Sequence, residues 1–225
     1  MAIAYVQSAN QALGSTSAKA FASNVTAGNF ICVFVGGYAG SEGSLVVTDN
    51  LGNTYTRVTK ITHTGDNLDL YCYYAYNIAG GACTVTMSGD SYGLQALIIM
   101  EFSGVRTAAD PLDVYGGVNS DASDPVSVSL TTTTDGLIVF LYADVNAHRY
   151  NAPASGYTLA EQEAGTCWDA VYKVSATAGS NSPGVDLTSG NATTMTLAAA
   201  FKIPAAAGGV FDLSATLRHV AGIGA

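Results

Sequence analysis

The sequence is short of charge. Asp, Glu, Lys and Arg make up 11 % of its 225 residues, against roughly 25 % in ordinary soluble domains. Only eight residues are basic, and the net charge is −9. Eight scattered cations cannot track a phosphate backbone, which excludes nucleic acid and anionic membrane surfaces as partners. Long apolar runs are also missing. No window approaches the roughly 18 residues that a membrane-crossing helix needs. The opening Met-Ala-Ile-Ala-Tyr-Val-Gln has neither the basic stretch nor the apolar run of a signal peptide. The first methionine therefore reads as a true start.

Catalytic constellations are scarce as well. The three histidines, His63, His148 and His219, fall in expected loops or in the tail. No Gly-x-Ser-x-Gly elbow occurs, so no nucleophile stands beside a base. The chain reads as non-enzymatic. None of the four cysteines forms a Cys-x-x-Cys pair, the spacing that zinc sites favour. Cys32 and Cys72 lie inside apolar runs and read as small buried hydrophobes, while a disulfide between some pair stays open.

What is there favours strands. Nearly half of the chain is apolar, and Ser, Thr, Asn and Gly supply its polar surface. β-Branched and aromatic residues suit strands, and Gly, Asn and Asp suit turns. Phe30–Val35 reads as a buried strand. Residues 44–48 and 54–59 flank the turn-rich Asp49–Asn53, which suggests a hairpin. Leu68–Tyr76 carries aromatics on both faces, Cys83–Met87 alternates, and residues 94–102 form another apolar run.

The pattern then recurs. Leu137–Leu141 echoes the run from Phe30. Ala170–Lys173 followed by Ala178-Gly179 echoes Tyr73–Tyr76 followed by Ala79-Gly80. Phe201 follows Phe102 at a spacing of 99 residues. The sequence therefore predicts an all-β, jelly-roll-like antiparallel β-sandwich, residues 1–203, built from two degenerate repeats at about 28–104 and 135–203. One interwoven sandwich is expected instead of two small ones. Val126–Leu130 alternates like a further strand, and mutual coverage protects strand edges. Residues 204–209 read as a flexible break. Residues 210–225 form an amphipathic tail. Phe211, Leu213, Ala215 and Leu217 alternate as in a strand, but Val210, Leu213, Leu217 and Val220 also fit a helical stripe. Val210, Phe211, Leu213, Leu217 and Val220 are the expected oligomer contacts, docking on a neighbouring copy or another particle protein.

Four runs carry a family resemblance: Val47–Tyr55, Tyr74–Gly81, Glu101-Phe102-Ser103-Gly104 and Pro111-Leu112-Asp113. In this order they resemble an uncharacterised β-sandwich family of bacterial surface and bacteriophage proteins, over roughly residues 3–203. The resemblance implies the fold and transfers no functional residue. The tail segment Asp212–Leu217 is similar to short strand motifs of phage tail-associated proteins. With the leaderless start, this implies a virion or extracellular location and a decoration, tail or filament subunit.

Three candidate ligand features remain. Glu101 shares a strand face with Leu97 and Ile99. A carboxylate there is costly to bury unless paired, so an Arg or Tyr partner, a strand end in solvent, or a ligand is expected. Calcium needs clustered oxygens; Asp49, Asn50 and Asn53 supply them first, and Asp66-x-x-Asp69 second, although such residues are ordinary in turns. No other cofactor is implied. A glycan platform needs exposed aromatics, for which Tyr71, Tyr73 and the single Trp168 are candidates. A carbohydrate-binding or adhesion module is accordingly the second reading.

Overall fold

The computed structural model describes residues 2–14, 17–38, 45–63, 65, 68–89, 95–122, 124–144, 150–163, 168–188 and 192–204. The β-branched and aromatic runs become strands, and no described residue is helical. The first half contains β1 (Ala4–Gly14), β2 (Ala18–Ala20), β3 (Phe30–Tyr38), β4 (Val46–Asp49), β5 (Thr56–His63), β6 (Leu68–Tyr76), β7 (Thr84–Ser88) and β8 (Gln95–Ser103). The second contains β9 (Leu112–Ala122), β10 (Val126–Ser127), β11 (Leu130–Thr132), β12 (Gly136–Asp144), β13 (Tyr150–Pro153), β14 (Thr158–Glu163), β15 (Trp168–Ala176), β16 (Gly179–Asn181), β17 (Gly184–Leu187) and β18 (Ala192–Lys202).

Each half builds its own two layers. The first has a five-stranded sheet, β1-β8-β3-β6-β5, and a three-stranded sheet, β2-β7-β4. The second has β9-β18-β12-β15-β14 and β10-β17-β13, with the pair β11-β16 beside them. The two strand orders are the same when β1 is matched to β9, β3 to β12 and β8 to β18. Among the described residues no ladder joins a strand of one half to a strand of the other. The expected interweaving is thus replaced by stacking. The expected hairpin around Asp49–Asn53 is also a crossover: β4 pairs with β7, whereas β5 pairs with β6 in the other sheet.

The stacking explains the composition. In β3, Phe30, Cys32 and Phe34 join the core shared with Leu137, Val139, Leu141 and Phe201 of the second half. Their neighbours Ile31, Val33 and Val35 join the first half's own core with Val47, Val85 and Met87. A strand alternates its side chains between faces, and both faces of these sheets are covered. A continuous apolar run results, as in any sheet buried on both sides. The equivalent run Leu137–Tyr142 divides in the same way between the shared core and the second half's own core.

Aromatics and small residues close the shared layer. Tyr5 stacks on Tyr172 at 4.9 Å, and Phe30 meets Phe201 at 4.6 Å between ring centroids. Gly117 of β9 leaves room for Ile61 of β5. A Cβ there would lie 2.8 Å from its Cδ1. On the opposite corner, Ser8 and Asn10 of β1 donate to the Glu161 carboxylate of β14. The corners β1–β14 and β9–β5 correspond under exchange of the halves, which is the pattern of an isologous contact within one chain.

Candidate functional site

Glu101 is 0 % exposed, in the interior of β8. Its Oε1 accepts the Thr26 backbone N–H at 2.8 Å and the Asn29 side-chain amide at 2.6 Å. Its Oε2 accepts the Gln7 side-chain amide at 2.7 Å. The partners are therefore neutral amides, in place of the expected Arg or Tyr. Gln7 is itself pinned to Ser23 by two bonds of 3.1 Å, one given and one received. One carboxylate thus ties β1, the 23–29 loop and β8 together. The carboxylate itself is closed off from solvent. Its capacity is to hold the base of the first half in one shape.

Asp49, Asn50 and Asn53 form a closed set. Asp49 accepts the Leu51 and Asn53 backbone N–H groups on Oδ1, and the Asn53 amide and Tyr55 hydroxyl on Oδ2. Asn50 donates to the Ala82 carbonyl and accepts from the Thr84 N–H, while Asn53 accepts from the Ala79 N–H. These side chains spend their oxygens on the chain itself, fastening the β4–β5 crossover to the segment between β6 and β7. No group of three His, Cys, Asp or Glu able to hold a metal ion occurs among the described residues.

Burial raises the Asp49 pKa, but the bonds from Asn53, Tyr55 and Leu51 together outweigh it and leave the carboxyl below its ordinary value. Nearby, burial and then the Asp49 charge push the Cys83 thiol up to about 12. A depressed carboxylate contributes stability that is present above the unfolded pKa, near 4, and is lost as pH falls through the lower folded value. Asp49→Asn should remove that slope. In acid titrations followed by circular dichroism, the wild type should lose stability more steeply below about pH 4 than the variant. Parallel curves would contradict the assignment.

The aromatic candidates are interior. Tyr71 and Tyr73 face the first half's own core, and Tyr73 donates to the Leu45 carbonyl at 2.7 Å. Trp168 lies in the shared core against Gly36. All three are almost wholly buried, and only Tyr73 reaches the wall of a cleft, which it lines with Leu45, Tyr55 and Arg57. Val210, Phe211, Leu213, Leu217 and Val220 lie outside the described residues.

Comparison with family models, curated proteins and solved structures finds no match. The site is therefore read from its own geometry.

The burial and partners of Asp69, and one cleft, escaped the sequence reading. Asp69 is buried, accepts from the hydroxyls of Thr62 and Tyr71, and meets Lys60 at 3.5 Å. Only the break in the apolar run Leu68-Asp69-Leu70 signalled it. The cleft, of about 510 Å³, lies at the base of the first half and is lined by residues 26–29, Ser103, Gly104, Val105, Thr107 and Pro204. Its walls come from segments far apart in sequence, so no local pattern marks it.

Proposed function

We propose that the chain is a non-enzymatic structural subunit of a phage-like particle or extracellular assembly, a decoration, tail or filament protein that self-associates. Its sandwich is read as a duplicated jelly-roll-like unit. One observation carries the proposal. β1 and β9, each 11 residues long, hold equivalent edge positions in the two five-stranded sheets. Unpaired edges are templates for strand addition unless they are blunted. β9 presents Tyr115 and Val118, 49 % and 43 % exposed, and β1 presents Val6. A subunit with two equivalent edges can bind a neighbour on each side.

The internally bonded carboxylates support the same reading, since buried Glu101 and half-buried Asp49 serve rigidity. The family resemblance points the same way. The glycan reading loses its named aromatic platform to the core.

Light scattering and negative-stain electron microscopy of the full chain test the proposal. Oligomers that grow with concentration are expected, and Tyr115→Lys with Val118→Lys should weaken them. A strict monomer at high concentration would overturn the reading.

A further inference from the structure

We propose that the basal cleft is the receptor for the chain's own C-terminal segment, residues 210–217. The argument begins with position. Pro204, the last described residue, forms part of the cleft wall. Its neighbour Ile203 is a large apolar side chain that stays 37 % exposed. Residues 205–209 then separate Pro204 from Val210. Five residues reach roughly 17 Å when extended, enough to return to the cleft. So short a tether gives an effective concentration on the order of millimolar.

The chemistry of the two parts agrees. Ala27, Val105 and Pro204 provide apolar wall, while Thr26, Ser103 and Thr107 provide hydroxyls. None of the lining residues is charged. The segment alternates Phe211 and Leu213 with Asp212 and Ser214, apolar groups for the wall and polar groups for the hydroxyl rim. Gly28 borders the cleft at φ +84°, with nothing within 4 Å of a Cβ placed on it. The backbone there is open to a close approach. The cleft volume also falls in the range that accepts a small ligand or a few side chains.

The floor of this cleft is preorganised. Thr26 and Asn29, two of its lining residues, are the residues held by Glu101. A receptor fixed in one conformation loses less entropy on binding. The same contact can be made within one subunit or exchanged between copies, since a hinge of small residues permits either. Only the exchanged form depends on the self-association proposed above.

The test uses the full chain with the photo-crosslinking residue p-benzoylphenylalanine in place of Phe211. After illumination, peptides are mapped by mass spectrometry and products are sized on a denaturing gel. Cross-links to residues 26–29 or 103–107 are expected. Ala27→Trp and Thr107→Trp, which fill the cleft from partly or fully exposed positions, should each lower the yield about tenfold. Cross-links that fall elsewhere, or a yield indifferent to both tryptophans, would overturn the assignment. Mapping to the cleft in a band of single-chain mass would uphold the receptor and count against exchange of the tail. Mapping there in a double-mass band would uphold both.

Discussion

Glu101→Ala should be among the most damaging single changes in the molecule. Three donors converge on the carboxylate, and all lose their acceptor at once. A buried donor left unpaired costs about 1–3 kcal/mol, and bonds to a charged acceptor sit at the upper end. The void left by the side chain adds to this. Part of the loss is recovered if water enters or if Gln7 moves. A net destabilisation of about 4 kcal/mol is expected, roughly 10 °C in melting temperature for a chain of this size.

Glu101→Gln separates charge from shape. Its amide oxygen can still accept from Thr26 and Asn29. Its NH₂ group would then face the Gln7 NH₂ group, donor against donor. Gln7 could flip its amide, but that would break both of its bonds to Ser23. The conservative variant should therefore still lose about 1–2 kcal/mol. Thermal and urea unfolding of the two variants beside the wild type provide the check. An alanine variant as stable as the wild type would show that the network is incidental.

The legibility of this fold depends on where each strand lies. Phe30–Val35, Leu68–Tyr76 and residues 94–102 announced themselves because the middle strands of a doubly covered sheet are apolar throughout. β1 and β9 gave little sign. They are edge strands, and Gln7, Ser8 and Asn10 or Gly116 and Gly117 interrupt their apolar pattern. The aromatics on both faces of β6 were the clue to stacking. A strand with one wet face does not carry Tyr71 and Tyr73 on one side and Cys72 and Tyr74 on the other, all buried. Reading one of those faces as a sugar platform ignored that clue.

The turn at Asp49–Asn53 misled in another way. Its local chemistry is that of a tight turn, and the Asp49 bonds to Leu51 and Asn53 realise it. Turn chemistry does not say which sheet the next strand joins. Here β5 pairs with the next strand, β6, while β4 pairs with β7, with Val47 opposite Met87 across two intervening strands. The acceptors and donors around Glu101 were hidden for the same reason. Gln7, Thr26 and Asn29 meet it only after β1 and β3 have been laid on either side of β8.

The stacking of the halves predicts a compensating pair at Gly36 and Trp168. A Cβ built on Gly36 would lie 1.2 Å from the Trp168 ring carbon Cη2. Gly36 therefore serves as the floor on which the indole rests, across the layer between the two sheets. Gly36→Ala cannot be absorbed by a small adjustment. It must displace a large buried ring, and overpacking of this kind costs about 1–3 kcal/mol or more. About 3 kcal/mol is expected here. Trp168→Leu alone removes much of the ring and leaves a cavity over the glycine, at a similar cost of about 3 kcal/mol.

The ladders suggest the cure. Gly36 lies opposite Leu70 in the first half, and Ala143 lies opposite Trp168 in the second. These positions correspond when the strand orders are matched. One half therefore sets Gly beside Leu where the other sets Ala beside Trp. Combining Gly36→Ala with Trp168→Leu replaces the Gly–Trp contact by an Ala–Leu contact, in which the added methyl fills part of the space that the ring vacates. The double variant should be more stable than the sum of the single losses by about 2 kcal/mol, within the range measured for residues in direct contact. Urea unfolding of all four proteins closes the cycle. Additive losses would mean that the two sites do not touch, and that the two sheets are not held together at this point.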